Sequence, residues 1–154
     1  MKNKVLADHL RLIGQLRALN NDNKFSVAAY EKAARSILDL EYVGKAIENI
    51  DLHSIDGIGS SLRETVREVL STGTSSKLVE LSKKFPVEAM SMTRVQGIGP
   101  KKAFALYLRG YKNFDALHEA AKAGKLDSKL TEEVLFAATN VGRVEYFLAK
   151  NTAD

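Results

Sequence analysis

A chain of 154 residues with 45% hydrophobic content has apolar material for one compact core or two small cores closely joined, and too little for a large enzyme. The absence of cysteine excludes disulfides, thiolate metal sites and a cysteine nucleophile, and fits a reducing compartment. A net charge of +4 is compatible with a polyanionic partner without selecting one; the basic excess lies between Asp51 and Gly110, where nine Lys and Arg stand against six Asp and Glu.

Apolar residues recur at helical spacing almost throughout, and no alternating β-branched run argues for a sheet, so the fold class read from sequence is all-α, a compact multi-helix chain. The first segment is basic but is interrupted by Asp8, His9 and Arg11, so it forms no signal core, and nothing later has the length of a membrane span. Leu6, Leu10, Ile13 and Leu16 make the first helical stripe, and Asn20 to Asn23 read as a turn and cap. A second helix carries Phe25, Tyr30, Ala33, Ala34, Ile37 and Leu38, with small residues suited to close packing. A third, shorter helix is expected to hold Val43, Ala46, Ile47 and Ile50.

Ile55-Asp56-Gly57-Ile58-Gly59-Ser60 then precedes a helix through Leu62, Val66 and Leu70, stopped at Ser71 to Thr74. A short helix bears Leu78 and Leu81 and ends near Phe85-Pro86. The pattern recurs as Val95-Gln96-Gly97-Ile98-Gly99-Pro100, followed by a helix through Ala103, Leu106 and Tyr107 that stops near Gly110. The two turns lie forty residues apart, which reads as an internal repeat. Further helices are expected around Phe114 to Leu117 and Thr131 to Leu148, with Tyr146-Phe147-Leu148 as core. Two domains follow, residues 1–75 and 76–154, with a soft boundary between Leu70 and Leu81, and Met1 and the polar tail read as natural ends.

In each Gly-Ile-Gly turn the isoleucine and the apolar residue before the first glycine anchor the loop, while the glycines permit backbone angles that other residues resist. A helix begins immediately afterwards, so unpaired N–H groups and the positive end of the helix dipole meet at one place, which favours a phosphate. Backbone donors position a chain on DNA without reading bases. Two such turns, each with neighbouring cations, therefore point to sequence-nonspecific binding of the DNA backbone on gapped, nicked or intact duplex. The candidate contacts are Gly57, Gly59, Ser60, Ser61, Arg63 and Arg67 at the first turn, and Arg94, Gly97, Gly99, Lys101 and Lys102 at the second. Dinucleotide binding is disfavoured, because Leu62 and Lys102 stand where a third glycine is needed and no strand precedes either turn.

The run Thr93 to Ala103, the earlier run Phe25 to Ala34, and Gly57-Ile58-Gly59 with Gly73-Thr74 together resemble the family X DNA polymerases of the polymerase-beta type. The resemblance covers the amino-terminal lyase-type domain and the following helix-hairpin-helix subdomain, hence nearly the whole chain, and stops short of the catalytic palm. It implies a role in DNA replication or repair, in the cytoplasm beside a nucleoid or in a nucleus and not in secretion. It also implies contact with a polymerase or another replication, repair or transcription protein. No Asp-x-Asp pair is present to hold two metal ions. The family's Schiff-base lysine corresponds to Thr65, whose hydroxyl cannot form an imine, so the expectation is a protein without enzymatic activity. Ser61 and Ser26 stand where the family has basic residues for a 5′-phosphate, whereas Tyr30 matches a tyrosine beside that pocket. The resemblance also implies a monovalent cation, Na+ or K+, on the carbonyls of His53, Ile55 and Ile58 in the first hairpin and of Thr93, Val95 and Ile98 in the second.

Two other readings stay open at this point. One is a residual lyase using another amine, such as Lys24, Lys32 or the terminal amino group; the other is a protein-binding regulator of a polymerase built on the same fold. His9, His53 and His118 lack the spacing of a zinc site, and Glu132-Glu133 and Lys83-Lys84 read as solvated helix positions.

Overall fold

The computed structural model describes residues 1–139, which are helical with connecting turns and contain no strand. Helix α1 spans Asn3–Leu19 and α2 spans Lys24–Tyr42. The two pack along each other more extensively than any other pair of helices described. Leu6, Leu10, Ile13 and Leu16 are fully buried, as the apolar stripe requires, and α2 presents Tyr30, Ala33, Ala34 and Ile37 to the same core. Close approach is bought by small side chains: a Cβ on Gly14 would lie 3.0 Å from the Tyr30 Cβ.

The third helix expected at Val43 to Ile50 does not form. Helix α2 ends instead in a Schellman motif, with the Lys45 N–H on the Leu40 carbonyl at 2.9 Å and the Gly44 N–H on the Glu41 carbonyl at 3.0 Å. Gly44 takes a φ of +73°, which closes the helix and turns the chain. Two short 310 turns follow, Ile47–Asn49 and Leu52–Ser54, burying Ile47 and Leu52 while Val43 stays exposed. Four apolar residues at helical spacing are too few to override a left-handed glycine among them.

Asn3 holds this irregular segment in place. Buried at the start of α1, it donates from Nδ2 to the carbonyls of Ile37 (3.2 Å) and Lys45 (3.0 Å) and accepts the Ile47 N–H at 2.9 Å. The terminal ammonium of Met1 pairs with Glu48 on the same segment. Helix α3, Ser60–Thr72, and helix α4, Ser76–Ser82, complete a compact unit from Met1 to Phe85. Helix α4 packs against α1 and belongs to this unit.

A second compact unit begins at Pro86. It opens with a 310 segment, Val87–Arg94, that the sequence did not announce, and continues through α5, Pro100–Leu108, α6, Phe114–Lys122, and a helix over residues 128–139, here α7. Met92, Val95, Ala103, Leu106, Leu117 and Val134 form its core. The expected core run Tyr146-Phe147-Leu148 lies outside the described residues.

Asn3→Ala should lower unfolding stability by at least about 1–3 kcal/mol, because the buried Ile47 N–H loses its acceptor. Urea denaturation followed by circular dichroism measures this; stability equal to the parent chain would show that the clamp is dispensable.

Candidate nucleic-acid interface

The two Gly-Ile-Gly turns have the same backbone. Gly57 and Gly97 adopt φ of +84° and +88°, a left-handed conformation that L side chains resist. Gly59 and Gly99 then sit as extended N-caps, with ψ of −177° in both, and lead into α3 and α5. The first intrahelical bonds match as well: the Arg63 N–H reaches the Gly59 carbonyl at 2.9 Å and the Ala103 N–H reaches the Gly99 carbonyl at 2.9 Å. Ile55 and Ile58 anchor the first turn in its core, and Val95 and Ile98 anchor the second.

Capping separates these helix starts from most of the others. Helix α2 is capped by Asn23, α4 by Ser75 and α6 by Asn113, each side chain accepting first-turn N–H groups. Helices α3 and α5 have no side-chain cap, since glycine supplies none. Their leading N–H groups are thus left for a partner outside the helix. A Cβ built on Gly59, Gly97 or Gly99 would meet no atom within 4 Å, whereas one on Gly57 would meet the Lys32 stem at 3.2 Å. Helix α1 is also uncapped, but it follows no turn of this kind.

Around this backbone the candidate side chains fall into distinct roles. Ser60, Ser61, Lys101 and Lys102 are exposed in the first turns of their helices, Arg67 is exposed two turns into α3, and Pro100 presets the first turn of α5. Arg94 is exposed and carries its guanidinium 4.7 Å from the Phe114 ring centroid, a cation–π contact that steadies it beside the second turn. Arg63 is half-buried, and its Nη1 donates to the Ile58 carbonyl at 3.0 Å. One of the oxygens suggested for a monovalent cation in the first hairpin therefore already holds a guanidinium, whose positive charge opposes a second cation on the same oxygen. In the second hairpin Ala103 stands at the position of Arg63, and its methyl group can donate nothing to the Ile98 carbonyl. The Val95 carbonyl there accepts the Ile98 N–H at 3.0 Å, which leaves a lone pair. The donor set of the second hairpin thus fits a cation better than that of the first. Among the described residues no group of three or more His, Asp or Glu could hold a metal ion.

The structure brings Tyr30 together with two cations that the sequence did not single out. Tyr30 is buried, and its hydroxyl accepts from Lys77 Nζ at 3.1 Å. The same ammonium donates to Ser61 Oγ at 2.9 Å, and the Arg17 guanidinium lies 5.4 Å from the Tyr30 ring centroid. Arg17, Ser61 and Lys77 line an open pocket of about 500 Å³ with Asp22, Ser26, Ser76, Glu80 and Leu81. Arg17 Nε donates to Asp22 at 2.8 Å, which holds the Asp22 carboxyl below its usual range and offsets part of the positive charge. Sequence periodicity could not find Arg17 or Lys77, because they come from α1 and α4 and meet only across packed helices. Thr65 lies on the buried face of α3, its hydroxyl donating to the Ser61 carbonyl at 3.2 Å. Of the other amines considered, Lys24 is exposed, and Lys32 lays its stem over Gly57, where a Cβ would meet it at 3.2 Å.

Lys77 depends on how α4 is held. The cap residue Ser75 is fully buried, accepts the Leu78 N–H at 3.2 Å and lies 2.7 Å from His9 Nε2 on α1, to which its hydroxyl hydrogen is free to donate. Glu68 on α3 accepts both the N–H and the hydroxyl of Ser76. Burial pushes the His9 pKa below its ordinary value of 6.5, with the Glu68 charge opposing in part.

Comparison with known proteins agrees with this geometry. Residues 1–75 match the family described as a helix-hairpin-helix domain, and residues 89–143 match the SAM-like helix-hairpin-helix tandem. The chain is 29% identical over 93% of its length to the DNA polymerase/3′-5′ exonuclease PolX of Bacillus subtilis strain 168, and 34% identical over 74% of its length to DNA polymerase lambda of Arabidopsis thaliana. It carries helix-hairpin-helix domains and is homologous to family X DNA polymerases. The chain spans only 26% and 22% of those two relatives, about a quarter of each. No described helix is long and apolar enough to cross a membrane.

His9 gives this helix-hairpin-helix protein a pH dependence with a defined sign. Its folded pKa lies below the unfolded value, so the unfolded chain takes up the proton first. The stabilising contribution of neutral His9 is complete above pH 6.5 and is lost as pH falls from there through the folded pKa. Thermal melts between pH 7.5 and 5 should show stability falling below about pH 6.5, with a shallower fall in His9→Asn. Identical pH profiles for the two chains would remove His9 from this account.

Proposed function

We propose that the chain is a sequence-nonspecific DNA-binding protein of replication or repair that holds backbone phosphates at its two helix-hairpin-helix turns. The observation that carries this reading is the pair of congruent glycine turns opening into helix starts on α3 and α5 that no side chain caps. Each presents backbone donors and a helix dipole to an anion, contacts that position DNA without reading a base edge. The homology to DNA polymerases supports DNA as the polyanion. Exposed Lys101 and Lys102 supply the cations of the second turn, and the carbonyls of Thr93, Val95 and Ile98 would hold a monovalent cation there, adding positive charge beside a bound phosphate.

The proposal includes no lyase chemistry. Position 65 is a buried threonine hydroxyl, already bonded to the Ser61 carbonyl, and it cannot form an imine with a sugar aldehyde. A second, narrower reading concerns DNA ends. Arg17 and Lys77, the latter donating to the Tyr30 hydroxyl, line the pocket with Ser61 and Ser26, and this supports a site for a terminal 5′-phosphate rebuilt from different cations. Asp22 and Glu80 in the same pocket oppose an anion, so any gain from the phosphate is small.

Lys101→Glu combined with Lys102→Glu should weaken binding to a nicked duplex at least about tenfold and lower the slope of log K against log salt by about two. Helicity by circular dichroism should not change. A salt-independent affinity, or no retention of any DNA by the parent chain, would shift the case towards a protein-binding regulator. Borohydride treatment on an abasic substrate should trap no adduct; a covalent species would establish the lyase alternative, and peptide mapping would identify the amine. Adding a 5′-phosphate to gapped DNA should tighten binding by no more than a few-fold, and Lys77→Ala should erase that increment.

A further inference from the structure

The two hairpins share a backbone but differ in what sits on the carbonyl between the glycines. In the first, Arg63 reaches back from the first turn of α3 and donates Nη1 to the Ile58 carbonyl at 3.0 Å. In the second, the corresponding residue on α5 is Ala103. A guanidinium stays charged at any physiological pH and carries five N–H donors, of which this contact uses one. The remaining donors sit beside the uncapped start of α3, where the turn already favours an anion.

Such a group meets both requirements of a bridging cation: it is bound by a turn carbonyl, and it offers positive charge and hydrogen bonds to a phosphate oxygen. It is also covalently attached, so no ion has to be recruited from solution. We propose that Arg63 is the built-in cation of the first hairpin, taking the place of a monovalent metal ion on the Ile58 carbonyl and linking that carbonyl to a DNA phosphate. The first turn is then independent of Na+ or K+, while the second, with Ala103, still depends on one. The phosphate half of this inference rests on the DNA-binding reading above, whereas the replacement of the metal ion does not.

Two experiments on the full chain separate these halves. Crystals grown with thallium(I) acetate and measured for anomalous scattering should show no thallium on the Ile58 carbonyl of the parent protein, and thallium there in Arg63→Ala. A thallium peak on that oxygen in the parent protein, or none in the variant, overturns the replacement. In the second experiment, affinity for a fluorescent nicked duplex is measured in potassium chloride and in tetramethylammonium chloride at matched ionic strength. Arg63→Ala should lose about tenfold more affinity than the parent chain when potassium is withdrawn, a scale set by a single phosphate contact. Arg63→Gln can still donate an amide to the Ile58 carbonyl but has no charge, and it should bind more weakly than the parent in both salts. Parent-like binding by Arg63→Gln would mean that the side chain only locks the turn, and the bridging role would fall. Failure of the parent chain to bind the duplex in either salt would instead refute the DNA-binding reading, and the thallium result would still decide the metal-ion question.

Discussion

Backbone amides at the head of a helix need acceptors, and in α3 and α5 the preceding glycine provides none. Other helices of the same chain answer the same need with Asn23, Ser75 and Asn113. The difference is chemical: an Asx or Ser side chain at the cap position consumes the donors, and glycine leaves them available to a ligand. What keeps those donors outward is the burial of Ile55, Ile58, Val95 and Ile98, which fixes each turn to its own core. A rigid, desolvated anchor beneath an open row of N–H groups is the arrangement on which the phosphate-binding reading depends.

The same tension between satisfaction and availability runs through the polar interior. Asn3 satisfies three backbone groups where α2 gives way to 310 turns, and Ser75 joins α1 to the start of α4 through His9. Among the described residues no buried side-chain nitrogen or oxygen lacks a hydrogen-bond partner. These closed networks matter to the site because they hold the elements that carry Tyr30 and Lys77. The uncapped starts of α3 and α5 leave backbone groups that an external anion can close.

Divergence between the hairpins is carried by side chains on a conserved geometry. The first has serines at its helix start, Arg63 folded back onto the turn and the Lys32 stem over Gly57. The second has Pro100 and two exposed lysines. The first therefore places its positive charge half-buried against the turn, and the second holds it in solvent, where salt screens it more strongly. Two copies of one motif have come to present phosphate-seeking charge in physically different ways.

Much of this was legible in the amino-acid order. Helical periodicity gave the all-α class, and the spacing of Leu6, Leu10, Ile13 and Leu16 named the buried face of α1. Gly-Ile-Gly announced both turns, because positive φ at Gly57 and Gly97 is a local property of glycine. The helix expected at Val43 to Ile50 does not form because a Schellman stop is specified by hydrogen bonds such as that from the Lys45 N–H to the Leu40 carbonyl, which a count of apolar residues does not register. Only the tertiary structure decided that Lys77 and Arg17 meet at Tyr30, that α4 packs on α1, and that Arg63 turns back onto the Ile58 carbonyl. Local backbone preference is written residue by residue, whereas the direction of a long charged side chain depends on which packed neighbours leave it room and which acceptor they leave open.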